Sequence, residues 1–175
     1  MKGAYVLVLQ LPLDLSVTIG SLGTHVLSKG TWLYVGSAMG NGSTSLERRV
    51  RRHFLSRKNI HWHIDYLLSE TAFLQAAIIV ESPSRAECKI AEALEKNMEC
   101  IPGPKGFGSS DCTNHCISHV FQCPKIERPQ ETLMKVLKEL EFEPQITCDG
   151  TIPLRPPKQQ VLNGKDCVVA DKEEI

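Results

Sequence analysis

Three apolar runs constrain the fold more than any other feature of the chain. Residues 4–11 (AYVLVLQL), 31–37 (TWLYVGS) and 72–80 (AFLQAAIIV) are rich in β-branched, aromatic and aliphatic side chains. Each is far shorter than the ~20 apolar residues that cross a bilayer. Pro12 closes the first. Short apolar runs of this composition, closed by turn residues, read as buried strands.

Between and after them the pattern changes period. Residues 15–30 carry short apolar pieces broken by Gly20, Gly23 and Gly30, and read as a strand or hairpin. Gly40-Asn41-Gly42 is a turn. Thr44-Ser45-Leu46-Glu47 fits a capping box with Thr44 as N-cap. A helix to about Ser56 should follow, with Leu46, Val50 and Phe54 on its core face. Residues 61–69 suit a short helix, and Pro83-Ser84 opens another that runs to about Asn97. Residues 101–111 form a Gly/Pro/Ser loop and 117–123 a short last strand. A helix from Gln130 to about Phe142 carries Leu133, Val136, Leu137 and Leu140 on one face. The remainder, with Pro153, Pro156 and Pro157, reads as an extended tail. The sum is an α/β (α+β) chain: a small mixed β-sheet flanked by helices.

A chain of 175 residues can bury roughly 68–70% of its unfolded surface, enough for a real core. No run approaches a membrane span, and Gln10 and Pro12 interrupt the first apolar stretch before it could serve as a secretory signal. The expectation is a cytoplasmic protein with no membrane partner. Seven cysteines, at 88, 100, 112, 116, 123, 148 and 167, are odd in number and irregularly spaced, so free thiols or a metal site are expected rather than a disulfide framework. Formal net charge is zero, which disfavours coating nucleic acid by bulk attraction. The charge is uneven, however. Arg48, Arg49, Arg51, Arg52, Arg57 and Lys58 crowd one segment, and acids such as Glu139, Glu141, Glu143, Asp171, Glu173 and Glu174 gather in the last third. A local basic face suits a local anionic ligand.

Five features then fall in one order along the chain. Tyr5 lies in Gly-Ala-Tyr on the first strand, and Tyr34 in Tyr-Val-Gly on the second. Arg49 and His53 are four apart on the next helix, and Glu87 is near the start of a later one. This order resembles the GIY-YIG nuclease superfamily. The stretches YVGSAMG, Arg-Val-x-Arg-His at 49–53, HWHIDYLL and GFGSSDC are similar, more closely, to a family of small, largely uncharacterised single-domain members of it. The resemblance covers roughly residues 3–122. It departs from the superfamily at Ala4, where Ile or Val is usual, and at Val35, where Ile is usual. It also leaves unplaced a late polar residue, commonly Asn, for which Asn97 and Asn114 are weak candidates. The separate DNA-binding domain that most nuclease members carry is not evident. The resemblance divides the chain into a nuclease-like domain over 1–125 and a C-terminal helix with tail over 126–175.

What the resemblance implies is a metal-dependent endonuclease that hydrolyses nucleic-acid phosphodiesters, DNA favoured over RNA. Glu87 would hold Mg²⁺ or Mn²⁺ through a single carboxylate. Arg49 would present its planar fork to the phosphate. Tyr5 or Tyr34 would take the proton from the attacking water, which a phenol of pKa near ~10 does only beside a cation. His53 would orient a group or move a proton. Helical geometry places Arg49 and His53 together at one edge of the buried face, with Arg48, Arg51, Arg52 and Lys58 left to contact flanking phosphates. His61, His63, Ser109 and Asp111 are accessory candidates.

Each residue also has a plainer reading. The tyrosines can be strand aromatics, and the arginines a solvated face. Glu87 completes a second capping box, Ser84-Arg85-Ala86-Glu87, and would then reach back to its own helix start. His61, Trp62, His63 and Asp65 can be structural rather than metal-binding. The loop Gly106–Asp111 could turn its N–H groups to a phosphate. Cys112, His115, Cys116 and His119 could hold zinc, although the spacing is tighter than the usual paired pattern. Two further functions therefore stay open: a catalytically inactive nucleic-acid-binding module that retains the fold, and a zinc-stabilised interaction domain.

Overall fold

The computed structural model describes residues 1–70 and 72–152. The proline-containing tail and Cys167 lie outside the described residues. In chain order the elements are β1 (Gly3–Leu11), β2 (Leu15–Thr18), β3 (Thr24–Leu27), β4 (Gly30–Ala38), α1 (Leu46–His53), α2 (His63–Ser69), β5 (Phe73–Glu81), α3 (Glu87–Met98), β6 (Ile101–Pro102), β7 (Val120–Gln122), α4 (Pro129–Glu139) and β8 (Gln145–Thr147).

Six strands form one sheet in the order β6-β7-β4-β1-β5-β8, and β2 pairs with β3 in a separate hairpin. The α+β class stands as expected. Every described pairing is antiparallel, so the sheet does not mix directions. β1 is central because both faces of it are covered. Its even residues Ala4, Val6 and Val8 join Ile90, Leu94, Leu133 and Leu137 from α3 and α4. Its odd residues Tyr5, Leu7, Leu9 and Leu11 join Leu46, Val50, Ile64 and Leu67 from α1 and α2. A strand buried on both faces loses its polar–apolar alternation, which is why the sequence shows an unbroken run. Full burial of each valine or leucine among them is worth about 1.5–3 kcal/mol.

The helix starts differ from both expected capping boxes. α1 begins at Leu46 after a short 3-10 turn over Gly42–Thr44, with no side-chain cap, and ends at His53 rather than near Ser56. The Thr44 hydroxyl donates to the Asn41 carbonyl, and Glu47 instead receives the terminal ammonium of Met1 at 2.7 Å. α3 begins at Glu87, preceded by Ala86 with no side-chain cap. Glu87 is therefore the first helical residue rather than the third, and it cannot reach back to cap its own helix. At α2 the return half of such a box forms: Asp65 Oδ2 accepts from the N–H of Trp62 at 2.9 Å, while Asp65 N–H donates to the Trp62 carbonyl.

Two further differences come from short strands. The loop expected over 101–111 contributes Ile101 and Pro102 as β6, and Gln145–Thr147 extends the other edge of the sheet. The β6–β7 register pairs Ile101 with Gln122, so Cys100 and Cys123 are the next opposed residues. They are joined as a disulfide with Cα atoms 4.4 Å apart. This corrects the expectation of free thiols for these two. Cys88, Cys112 and Cys116 are free. Among the described residues no helix is long and apolar enough to cross a membrane.

Candidate active site

Strand parity assembles the first part of the site. Tyr5 faces Gly36, and Leu7 faces Tyr34, in the β1–β4 register. The two tyrosines are therefore diagonal neighbours on one face of the sheet, with ring centroids 6.4 Å apart. Gly36 is required by this packing: a Cβ there would sit 2.5 Å from Tyr5 Oη and closer still to the ring. We expect Gly36→Ala to displace Tyr5 and to cost about 1–3 kcal/mol, as overpacked sites do. Urea unfolding checks the cost. Tyr5 Oη and His53 Nε2 are 2.9 Å apart and share a hydrogen bond, so the ring resonances of His53 should also move in this variant.

The helix α1 then brings Arg49 and His53 to the same place. Arg49 donates from Nη1 to the Ser37 carbonyl at 2.7 Å, tying α1 to the end of β4, while its buried Nε has no partner. Its guanidinium lies 4.9 Å from the Trp62 ring centroid. His53 is buried beneath Tyr5, and burial pulls its pKa down to about 3, with Lys58, Arg52 and Arg49 adding to the effect and Asp65 opposing it. At neutral pH the ring is uncharged. Burial, the largest cause in each case, raises the phenol pKa of both tyrosines; Arg49 lowers both without overcoming it. Both are protonated phenols at neutral pH.

Tyr5, Tyr34, Arg49, His61, His63, Glu87 and Asp111 all line one cleft of about 750 Å³. Glu87 comes from the layer on the far side of the sheet, yet its carboxylate reaches the same cleft. It is 6% exposed. Oε1 is 3.4 Å from Arg85 Nη1, and Oε2 is buried with no partner. The lining also includes Arg85, Cys88, Lys89, His119 and Asn114. Asn114 thus reaches the cleft, whereas Asn97 is exposed on α3.

Other candidate residues are placed elsewhere. His53 and Ser109 are buried behind the cleft wall, with Ser109 Oγ donating to the Ile117 carbonyl. Arg48 and Arg51 are exposed outside the cleft. Arg52 is committed to Asp65 through two contacts of 2.9 Å, and Lys58 Nζ donates to the carbonyls of His53 and Leu55. His61 stacks edge-on against Trp62. His63 Nδ1 accepts from the Gly108 N–H at 3.1 Å. That bond, with Gly106 N–H to Ile117, Phe107 N–H to Pro104 and Ser109 N–H to Gly106, spends the N–H groups of residues 106–109 within the protein. The loop acts as a wall: buried Phe107 packs against Tyr34 and His63.

The thiol cluster also differs from its expected membership. Ligand atoms of Cys88, Cys112, Cys116 and His119 lie within 4.8 Å of one another and could hold a metal ion. His115 is not among them; it is exposed, with φ of 57°. Cys88 of α3 takes its place. Sequence spacing could not supply Cys88, which is 24 residues from Cys112 and separated from it by β6. Its one local signal was adjacency to Glu87.

A family model with the description "Domain of unknown function DUF123" matches residues 4–142. No curated protein and no solved structure matches the chain.

Proposed function

Because the chain belongs to the DUF123 family, whose description assigns no function, the site must carry the reading, and we propose a divalent-metal-dependent endonuclease acting on nucleic-acid phosphodiesters. DNA is the substrate to test first, with RNA as the second class, and a cytoplasmic setting is part of the proposal. One observation carries it: Tyr5, Tyr34, Arg49 and Glu87, from four separate elements, converge on one cleft. The order of these residues along the chain resembles that of GIY-YIG nucleases.

The donor set fits a hard cation. Glu87 presents a buried carboxylate whose Oε2 lacks any partner, and one carboxylate with phosphate oxygens and water is a common Mg²⁺ environment. Asp111 lines the same cleft. Mg²⁺ or Mn²⁺ bound at Glu87 supplies Lewis-acid polarisation of the phosphate.

The protein's own groups do the rest. Arg49, fixed by Ser37 and Trp62, holds the non-bridging phosphate oxygens with the N–H groups not spent on Ser37. Tyr34 or Tyr5 positions the attacking water. Either becomes a base only as cations gather beside it, because burial favours the protonated phenol. His53 positions Tyr5 through their mutual hydrogen bond. The raised phenol pKa values favour one alternative, a nucleic-acid-binding module with the fold but no turnover.

A labelled panel of single-stranded, duplex, flapped and junction substrates separates the two. With Mg²⁺ or Mn²⁺, wild type should cut at least one substrate, and Glu87→Gln should cut about a hundredfold less while still binding. Equal cutting by both would remove Glu87 from the mechanism. Binding with steep salt dependence and no cutting by either would establish the binding module.

A further inference from the structure

The thiol cluster beside the cleft holds four soft donors and no carboxylate. Cys88 is the second residue of α3, Cys112 and Cys116 belong to the loop between β6 and β7, and His119 immediately precedes β7. The sulfurs of Cys88 and Cys112 are 3.3 Å apart. His119 is 4% exposed, and its Nε2 is buried without a hydrogen-bond partner. An imidazole nitrogen in that condition costs stability unless something meets it.

The surrounding backbone is already set. Cys112 N–H donates to Ser109, His115 N–H to Cys112, and His119 N–H to Phe107. The donors therefore converge without the loop having to fold around an ion. In a tetrahedral zinc site with Zn–S near 2.3 Å, neighbouring ligand atoms stand about 3.3–3.8 Å apart. Two sulfurs stand at the upper end of that range, so the Cys88–Cys112 pair at 3.3 Å opens by about 0.5 Å, while the 4.8 Å outer limit of the cluster contracts by about 1 Å.

We propose that Cys88, Cys112, Cys116 and His119 form a structural Cys₃His zinc site that clamps the start of α3 to the loop before β7. Four protein ligands close the coordination sphere, so the zinc is structural rather than catalytic. Binding replaces thiol protons with the metal, releasing them to solvent. The clamp bears on the cleft as well. Its ligand Cys88 follows Glu87 directly, so it fixes the turn of helix that presents that carboxylate; this consequence alone rests on the nuclease reading.

The test uses the full chain, expressed with added zinc and purified in a phosphine reductant without chelator. Elemental analysis should give about one zinc per chain. Cys88→Ser and His119→Ala should drop well below that value, whereas His115→Ala should retain it. Exchange into Co²⁺ should give wild type the strong visible bands of tetrahedral cobalt and near-ultraviolet thiolate-to-cobalt absorption. That measurement stands even if the cysteine variant fails to fold. Zinc-free wild type that also gives no cobalt bands would overturn the proposal. Loss of zinc in His115→Ala with retention in Cys88→Ser would equally overturn this ligand set. Neither result depends on nuclease activity, so a failed cleavage assay leaves the zinc test intact.

Discussion

Asp65→Asn should destabilise the protein by about 3 kcal/mol at neutral pH, near the lower end of the cost of breaking a buried ion pair. The Asp65 side chain is fully buried and four hydrogen bonds converge on it. Oδ1 accepts from Arg52 Nη1, while Oδ2 accepts from Arg52 Nη2 and from the N–H groups of His61 and Trp62, each at 2.9 Å. Asparagine has one carbonyl oxygen. If that oxygen keeps the three donors at Oδ2, the amide NH₂ is turned against Arg52 Nη1, donor against donor. Arg52 would also lose its counter-charge, although its side chain is 24% exposed and can reach water, which holds the cost below the upper end of the range. Urea unfolding of the variant measures it. A loss under about 1 kcal/mol would class the pair with exposed salt bridges. The damage should reach the cleft as well. Trp62 stands between Arg52 and Arg49, its ring centroid 4.4 Å and 4.9 Å from the two guanidinium carbons. Loosening Asp65 loosens the surface that supports Arg49.

The same pair shows what sequence could and could not reveal. Six cations between Arg48 and Lys58 are legible as charge, but their availability is not. Arg52 is spent on an aspartate 13 residues away, and Lys58 on carbonyls of its own turn. By contrast, the convergence of Arg49 and His53 is legible from helical spacing, and that of Tyr5 and Tyr34 from strand parity once the two strands are known to pair. Those features are local and periodic. The capping boxes failed because a tetrapeptide specifies a cap only where the chain enters the helix, and both helices start later than the motif implies. β6 and β8, with two and three residues, are too short to show a period. Missing β6 hid the opposition of Cys100 and Cys123. Cys88 was hidden for a related reason: its partners come from a loop far along the chain, and only the packed fold brings them to the start of α3.

Acid should weaken the fold well before the carboxylates titrate, and His53 should be the main cause. Its folded pKa is lowered to about 3, first by burial and then by Lys58, Arg52 and Arg49 against the opposing charge of Asp65. An unfolded histidine titrates near ~6.5. Above that value both states are neutral at this ring and its contribution is fully present. As pH falls below it, the unfolded chain gains a proton that the folded ring refuses until about pH 3. Stability must therefore fall with pH, with a slope approaching ~1.4 kcal/mol per unit and a loss on the order of 3 kcal/mol by pH 4. Asp65 acts in a different window. Burial raises its pKa, but hydrogen bonds from Arg52, Trp62 and His61 outweigh this and hold the carboxyl below its ordinary value. Its contribution is present above the unfolded value of about 4 and is lost only as pH falls below it. Urea midpoints between pH 7 and 4 should thus decline in wild type and flatten in His53→Gln. In wild type the His53 ring resonances should not titrate between pH 7 and 5. If they titrate near 6.5, the ring is open to solvent and the Tyr5–His53 pair is not the buried unit that positions the phenol.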